Sequence, residues 1–261
     1  MFSPDFHALG FDFPEWEDLA DAIIDTGVVG VSDVDPFMFV GLYKDESEAG
    51  VGIFRYEDDP PFTTPSLKGM GGRIVRAYQI QPSLALLDIY DDNGNGSPTW
   101  RLLAAVDDPH CYPLRPFGTE GEFAEYDDYR LSGAAIEVSI YPNEEAWKKD
   151  QTPIQVDNPP VPGMPNEIYI GPRFVTSPWL FALASGDNQP EEANPSAMFK
   201  GVVEKAELRT NSLTGQKWWR CEVDCGFPIA IALPEDINLA PTPGSVIDGN
   251  VFLLGSSGFW D

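Results

Sequence analysis

The chain has 261 residues and 43% apolar content, enough for one large domain or two smaller ones with real cores, and against wholesale disorder. Sixteen Lys and Arg face 42 Asp and Glu, leaving a net charge of −26 and a pI near 4.1. Such a field repels phosphate backbones and anionic membranes, and favours cationic partners, metal ions or plain solubility.

The opening MFSPDFHALGFDFPEW has no basic start and no apolar run, so no signal peptide is expected. Apolar stretches such as 179–184 are too short to span a bilayer. Three cysteines are an odd count and too few for a disulfide scaffold. These features predict a soluble protein of the reducing cytoplasm.

In chain order, the first predicted element is a helix. Pro14 suits its first position, and Glu15, Glu17 and Asp18 place acid where the helix dipole favours it. Trp16, Leu19, Ala20 and Ile23 then form one apolar stripe, and Gly27 stops it. Short segments rich in Val, Ile, Phe and Tyr follow at 28–32, 37–44, 49–57, 73–81, 83–90 and 99–106, all read as strands. Alternation of Ile136, Val138 and Ile140 predicts another at 133–141, and NEEAWKKD predicts a short helix after it. Five prolines in 151–165 read as an extended loop, 168–184 as an apolar segment and 185–196 as a linker. The PEWEDLADA and PNEEAWKKD helices are faintly alike, too weakly to establish a duplication.

From Phe199 onward, strands are predicted at 199–209, 216–225 and 227–233, with PEDINL as one helical turn. Two short strands, 245–248 and 250–254, close the segment around Gly249. Three strands, a small helix and two strands resemble an OB-fold, a small partly open five-stranded barrel. The whole layout also resembles a poorly characterised family of bacterial cytoplasmic proteins. The shared cues are the early helix, the EEAW helix, the TNSLTG turn and the G-x-V-F-L-L-G ending. No activity comes with that resemblance. The expected fold is therefore α+β and β-rich. A mainly antiparallel region with few helices would span 1–184, a linker 185–198, and an OB-like barrel 199–261.

In the predicted strand 216–225, Trp219, Cys221, Val223 and Cys225 share one face and read as core. Trp218 and Arg220 share the other with Glu222 and Asp224. Trp218 is thus the candidate base-stacking platform, with Arg220 beside it. Against that use, 199–261 carries five Lys or Arg and eight Asp or Glu, net −3, and the remainder carries −23. Nucleic acid is disfavoured on this charge, and packing of Trp218 against the preceding domain is the competing expectation.

DDNGNG at 91–96 matches the start of a calcium loop, with Asp91, Asn93 and Asn95 as candidate ligands. Its twelfth position is Leu102 instead of Glu, and Asn-Gly equally signals a hairpin. A zinc site from Cys221, Cys225, Cys111, His110 and His7 would put its first pair on a strand face with no second close pair, and buried apolar cysteines are the competing reading. No catalytic triad, phosphate loop or dinucleotide fingerprint is legible, GSSG at 255–258 lacks a serine-elbow context, and no cofactor is called for. His110 reads as a solvent-exposed loop residue, and Glu57–Asp59 and Glu125–Tyr129 as polar loop tips.

The expected function is a non-catalytic binding or interaction module whose acidic surface engages a protein partner with a basic surface. The alternatives are a carboxylate-based hydrolase and single-strand nucleic-acid binding by the barrel. The sequence assigns no catalytic residue and no oligomeric state.

Overall fold

The computed structural model describes residues 3–57, 59–91, 94, 96–155 and 167–261. A short turn of helix, α1 (Pro4–His7), precedes α2 (Trp16–Thr26). The stripe read from the sequence works as expected at Leu19 and Ile23, which are buried, and Gly27 ends the helix with φ of 117°. Next come β1 (Val29–Val34), β2 (Phe37–Lys44), β3 (Ala49–Tyr56) and β4 (Phe62–Leu67), an antiparallel sheet in sequence order. β4 is absent from the sequence expectation because Pro65 and two threonines interrupt the apolar pattern.

The second, nine-stranded sheet is assembled from β5 (Met70–Gln81), β6 (Leu84–Tyr90), β7 (Trp100–Val106) and β8 (Ala124–Tyr141), from four later strands and from one short edge strand. Between them lie α3 (Glu144–Asp150), the two-residue strands β9 (Ile154–Gln155) and β10 (Glu167–Ile168), the edge strand β11 (Phe174–Thr176) and α4 (Pro178–Ser185). The later strands are β12 (Ser196–Thr210), β13 (Lys217–Asp224), β14 (Pro228–Pro234) and β15 (Val246–Ser256). α3 begins where expected, its Asn143 side chain accepting the Ala146 N–H at 2.8 Å.

The pairings close into two rings of five strands. One runs β12–β13–β14–β8–β15 and returns to β12; the other runs β5–β6–β7–β15–β8 and returns to β5. Each ring is a three-strand meander completed by the two long strands, β8 and β15, which both rings share. The first half of β8 pairs with β5, and Ser132–Ala134 pair with β14. Likewise Val246–Phe252 of β15 pair with β12, and Leu254 and Gly255 with β7.

This arrangement corrects several expectations. The first sheet is antiparallel, but the second is mixed where mainly antiparallel pairing was expected, because β14–β8 and β15–β7 run parallel. Parallel neighbours need long connections, and these partners lie far apart in sequence. Residues 199–261 do not hold a complete five-stranded set, since the fifth strand of their ring is β8. The span given to the linker already contains the start of β12 at Ser196. The two short closing strands are one, β15, with Gly249 (φ 152°) inside it, where a Cβ would lie 2.2 Å from the Glu137 carbonyl oxygen. PEDINL is not helical: Asn238 instead bridges the backbone N–H and carbonyl of Ile140, at 2.9 and 3.1 Å, and pins the segment to β8. Glu125–Tyr129 is no loop tip but the first half of β8, with Tyr129 fully buried. Residues 58 and 156–166, parts of the Glu57–Asp59 and proline-rich segments, lie outside the described residues.

One apolar core joins Leu9 and Phe11 of the amino-terminal segment, Leu19 and Ile23 of α2, Tyr43 and Val51 of the first sheet, and both rings. The TNSLTG turn fastens the amino terminus to it. Asn211 Nδ2 donates to the Leu9 carbonyl at 3.0 Å, Thr214 Oγ1 to the Gly10 carbonyl at 2.7 Å, and Ser212 N to Asp45 at 3.0 Å. No helix among the described residues is long and apolar enough to cross a membrane.

Candidate functional site

Alternation along β13 separates the two tryptophans as expected, but both faces are covered. Cys221 and Val223 point into the core and Trp219 is half-buried. Trp218 is 0% exposed, beneath Gly10, and its Nε1 donates to Ser47 Oγ at 3.3 Å. It is therefore not a stacking platform; the amino-terminal segment and the β2–β3 turn roof it over. Arg220 is tied to Glu48 at 2.7 Å and to Glu222 at 3.4 Å. The other cations of this region are also spoken for: Lys200 by Asp248, Lys205 by Glu207, Arg209 by Glu207 and Glu48, and Lys217 by Glu235. Trp218 and Arg220 thus lie side by side but form no cationic track.

The DDNGNG stretch joins the antiparallel pair β6–β7, in the place of a hairpin connection. Asn93 and Asn95 lie outside the described residues, and Asp91 accepts the Gly94 N–H at 2.9 Å through its backbone carbonyl. Among the described residues, no three His, Cys, Asp or Glu gather to hold a metal. Burial pushes the Cys221 and Cys225 thiols up to about 12 and Cys111 up to about 11, as in packed, protonated thiols.

Two sites escaped the sequence reading. The first is an acidic face on the amino-terminal part. Residues 1–43 contain nine Asp or Glu and no Lys or Arg. Glu15, Glu17, Asp18, Asp21, Asp25, Asp33 and Asp35 are all exposed, and none ion-pairs with a described residue. At its edge a cavity of about 170 Å³ opens between the α1 turn and α2, lined by Phe6, Phe11, Phe13, Trp16, Asp12 and Glu15 among others. The signal was present in the alternation FDFPEW, which reads as helix start and nothing more until α1 is folded against it.

The second is a cavity of about 220 Å³ where β2–β4, the end of β7 and the segment after β15 meet; Lys44, Glu48, Ser66, Asp107, Arg130 and Trp260 help to line it. Asp107 and Asp108 follow β7 directly. Ser66 Oγ donates to Asp107 Oδ2 at 2.6 Å, while Oδ1 is buried and finds no hydrogen-bond partner among the described residues. Burial, and then the neighbouring Asp108 charge, raise Asp107 from 3.8 to about 7. Asp108, also raised by burial, is wrapped by donors: Ser257 N at 2.8 Å, Ser257 Oγ at 2.5 Å and Tyr112 at 3.0 Å. The GSSG segment thus serves as a carboxylate cradle. Tyr112 in turn meets the Tyr129 hydroxyl at 3.0 Å. His110 is not a solvent-exposed loop residue. It lies in a 3₁₀ turn against Phe259 and Trp260, with both ring nitrogens buried and its pKa lowered by burial.

Comparison of the chain with protein-family models, curated proteins and solved structures finds no match.

Proposed function

We propose that this protein is a non-catalytic binding module whose acidic face engages a basic segment of a protein partner, built on two OB-like rings and acting in the cytoplasm. One observation carries the reading: seven exposed carboxylates on α2, β1 and the adjoining turns have no counter-ion among the described residues, whereas the cations around β12 and β13 are each neutralised within the chain. Like charges close in sequence and without counter-ions among the described residues destabilise the isolated fold slightly, and a cationic partner relieves them. Free cysteines are consistent with a reducing compartment.

The test is fluorescence anisotropy of a labelled oligolysine peptide at about 20 mM and about 300 mM salt, where screening lengths differ several-fold. Binding at low salt, weakened in a variant with Glu17, Asp18, Asp21 and Asp25 replaced by their amides, is the expected result. An oligolysine that fails to bind at low salt, or binds the amide variant equally well, defeats the reading.

A second reading, carboxylate-based hydrolysis, is favoured by Asp107. A carboxyl held near neutrality beside a cavity and bonded to a serine hydroxyl is suited to general acid–base work. Asp108 does not line that cavity with it. Turnover of nitrophenyl esters and glycosides, abolished by D107N, would support this reading; no turnover by the native chain would remove it.

A further inference from the structure

We propose that the cavity between the α1 turn and α2 is a receptor for a single cationic side chain, an alkylammonium or guanidinium group. This inference deepens the acidic-face reading and rests on it for the identity of the partner, though the pocket is testable alone.

Four of its walls are aromatic: Phe6, Phe11, Phe13 and Trp16. Phe11 is buried and packs edge-on to Phe6 and Tyr43, so the back of the cavity is rigid. Trp16 is 44% exposed, so its ring is open to a ligand. Its Nε1 donates to Thr63 Oγ1 of β4 at 3.2 Å, which fixes the indole against the first sheet while leaving it accessible. The lip carries Asp12 and Glu15. Glu15 is exposed and has no ion pair among the described residues; Asp12 lies 2.8 Å from His7 Nδ1, and His7 Nε2 is 3.2 Å from Asp236.

The combination selects a ligand class. An anion meets two carboxylates in the lining and no lysine or arginine there. A hard metal ion needs several converging oxygens, and rings supply none. A neutral apolar group gains the rings but strips water from the carboxylates without return. An organic cation gains both: the negative faces of the rings and the charge of the lip. About 170 Å³ admits the end of one lysine or arginine chain, or a trimethylammonium head.

The experiment follows the Trp16 indole N–H peak in a ¹⁵N correlation spectrum of the full chain, assigned with W16F. The probes are tetramethylammonium, N-acetyl-lysine amide and N-acetyl-norleucine amide, the neutral analogue that lacks the ammonium group. Saturable movement with both cations and none with norleucine is expected, and E15Q reduces it. In the oligolysine assay, W16A weakens binding about two- to five-fold, with thermal melts to show that the variant folds. If oligolysine binds in a salt-dependent way but tetramethylammonium leaves Trp16 unmoved and W16A binds normally, the pocket is wrong and the acidic face stands. Equal response to norleucine also overturns it, as an apolar cleft. Silence in both assays rejects both readings.

Discussion

Replacing Asp107 by Asn is expected to flatten part of the pH dependence of folding. In the folded chain the carboxyl holds its proton up to about pH 7, against 3.8 as the ordinary value. Below about pH 4 both states are protonated and the group contributes nothing. Between about pH 4 and 7 the folded state binds the proton that the unfolded state has released, so stability falls as pH rises. Above about pH 7 the full penalty of a buried carboxylate is present. The shift is worth about 4 kcal/mol. Asn removes that penalty but weakens the bond from Ser66, at about 1 kcal/mol. At pH 8 the variant is therefore expected to be more stable by about 3 kcal/mol, and at pH 4 slightly less stable than the native chain. Urea unfolding followed by tryptophan fluorescence gives both stabilities at each pH. Repulsion among the many surface acids also makes stability pH-dependent, so the difference between the two proteins is the quantity to read. A difference that stays constant from about pH 4 to 8 would mean that Asp107 ionises normally, and the argument from burial would fail.

Truncating Trp218 to Ala should cost about 3–5 kcal/mol in urea unfolding, since the ring is fully buried; a cost under about 1 kcal/mol would show that its roof is loose. Gly249→Ala should cost at least about 3 kcal/mol, because the new Cβ meets backbone of β8, which cannot rotate away. Asn143→Ala should lose about 1 kcal/mol with the cap of α3, and a neutral result would mean that the cap is replaced by water. At pH 8 none of the three thiols should react with an aromatic disulfide reagent until the chain is unfolded; rapid labelling of the native protein would contradict their raised pKa values.

Local pattern made the strands legible, and non-local pairing did not. Ile136, Val138 and Ile140 announce a strand by period, yet nothing in 133–141 says that it will also neighbour β14, about a hundred residues later. The first half of β8 hid behind Glu125, Asp127 and Asp128, because its outward positions are acidic while Tyr126 and Tyr129 face inward. Trp218 shows the limit from another side. Alternation fixed that it opposes Cys221, but only the fold of residues 9, 10 and 47 over that face decides that it is dry. Asp107 was one acid among 42, and burial, which composition does not carry, is what sets it apart. The aromatics of the amino-terminal cavity were readable as residues but not as neighbours, since α1 must first turn the chain back on α2.

The sharing of β8 and β15 has a consequence for how the molecule can be taken apart. Opened between Gly186 and Gln189, the polypeptide would yield two pieces, each a meander with one long stave and a gap shaped for the other's. Neither piece could satisfy its own backbone alone. Mixed, they would be expected to restore each other, as halves of a split reporter do, so that a cut here would separate the chain without separating the protein.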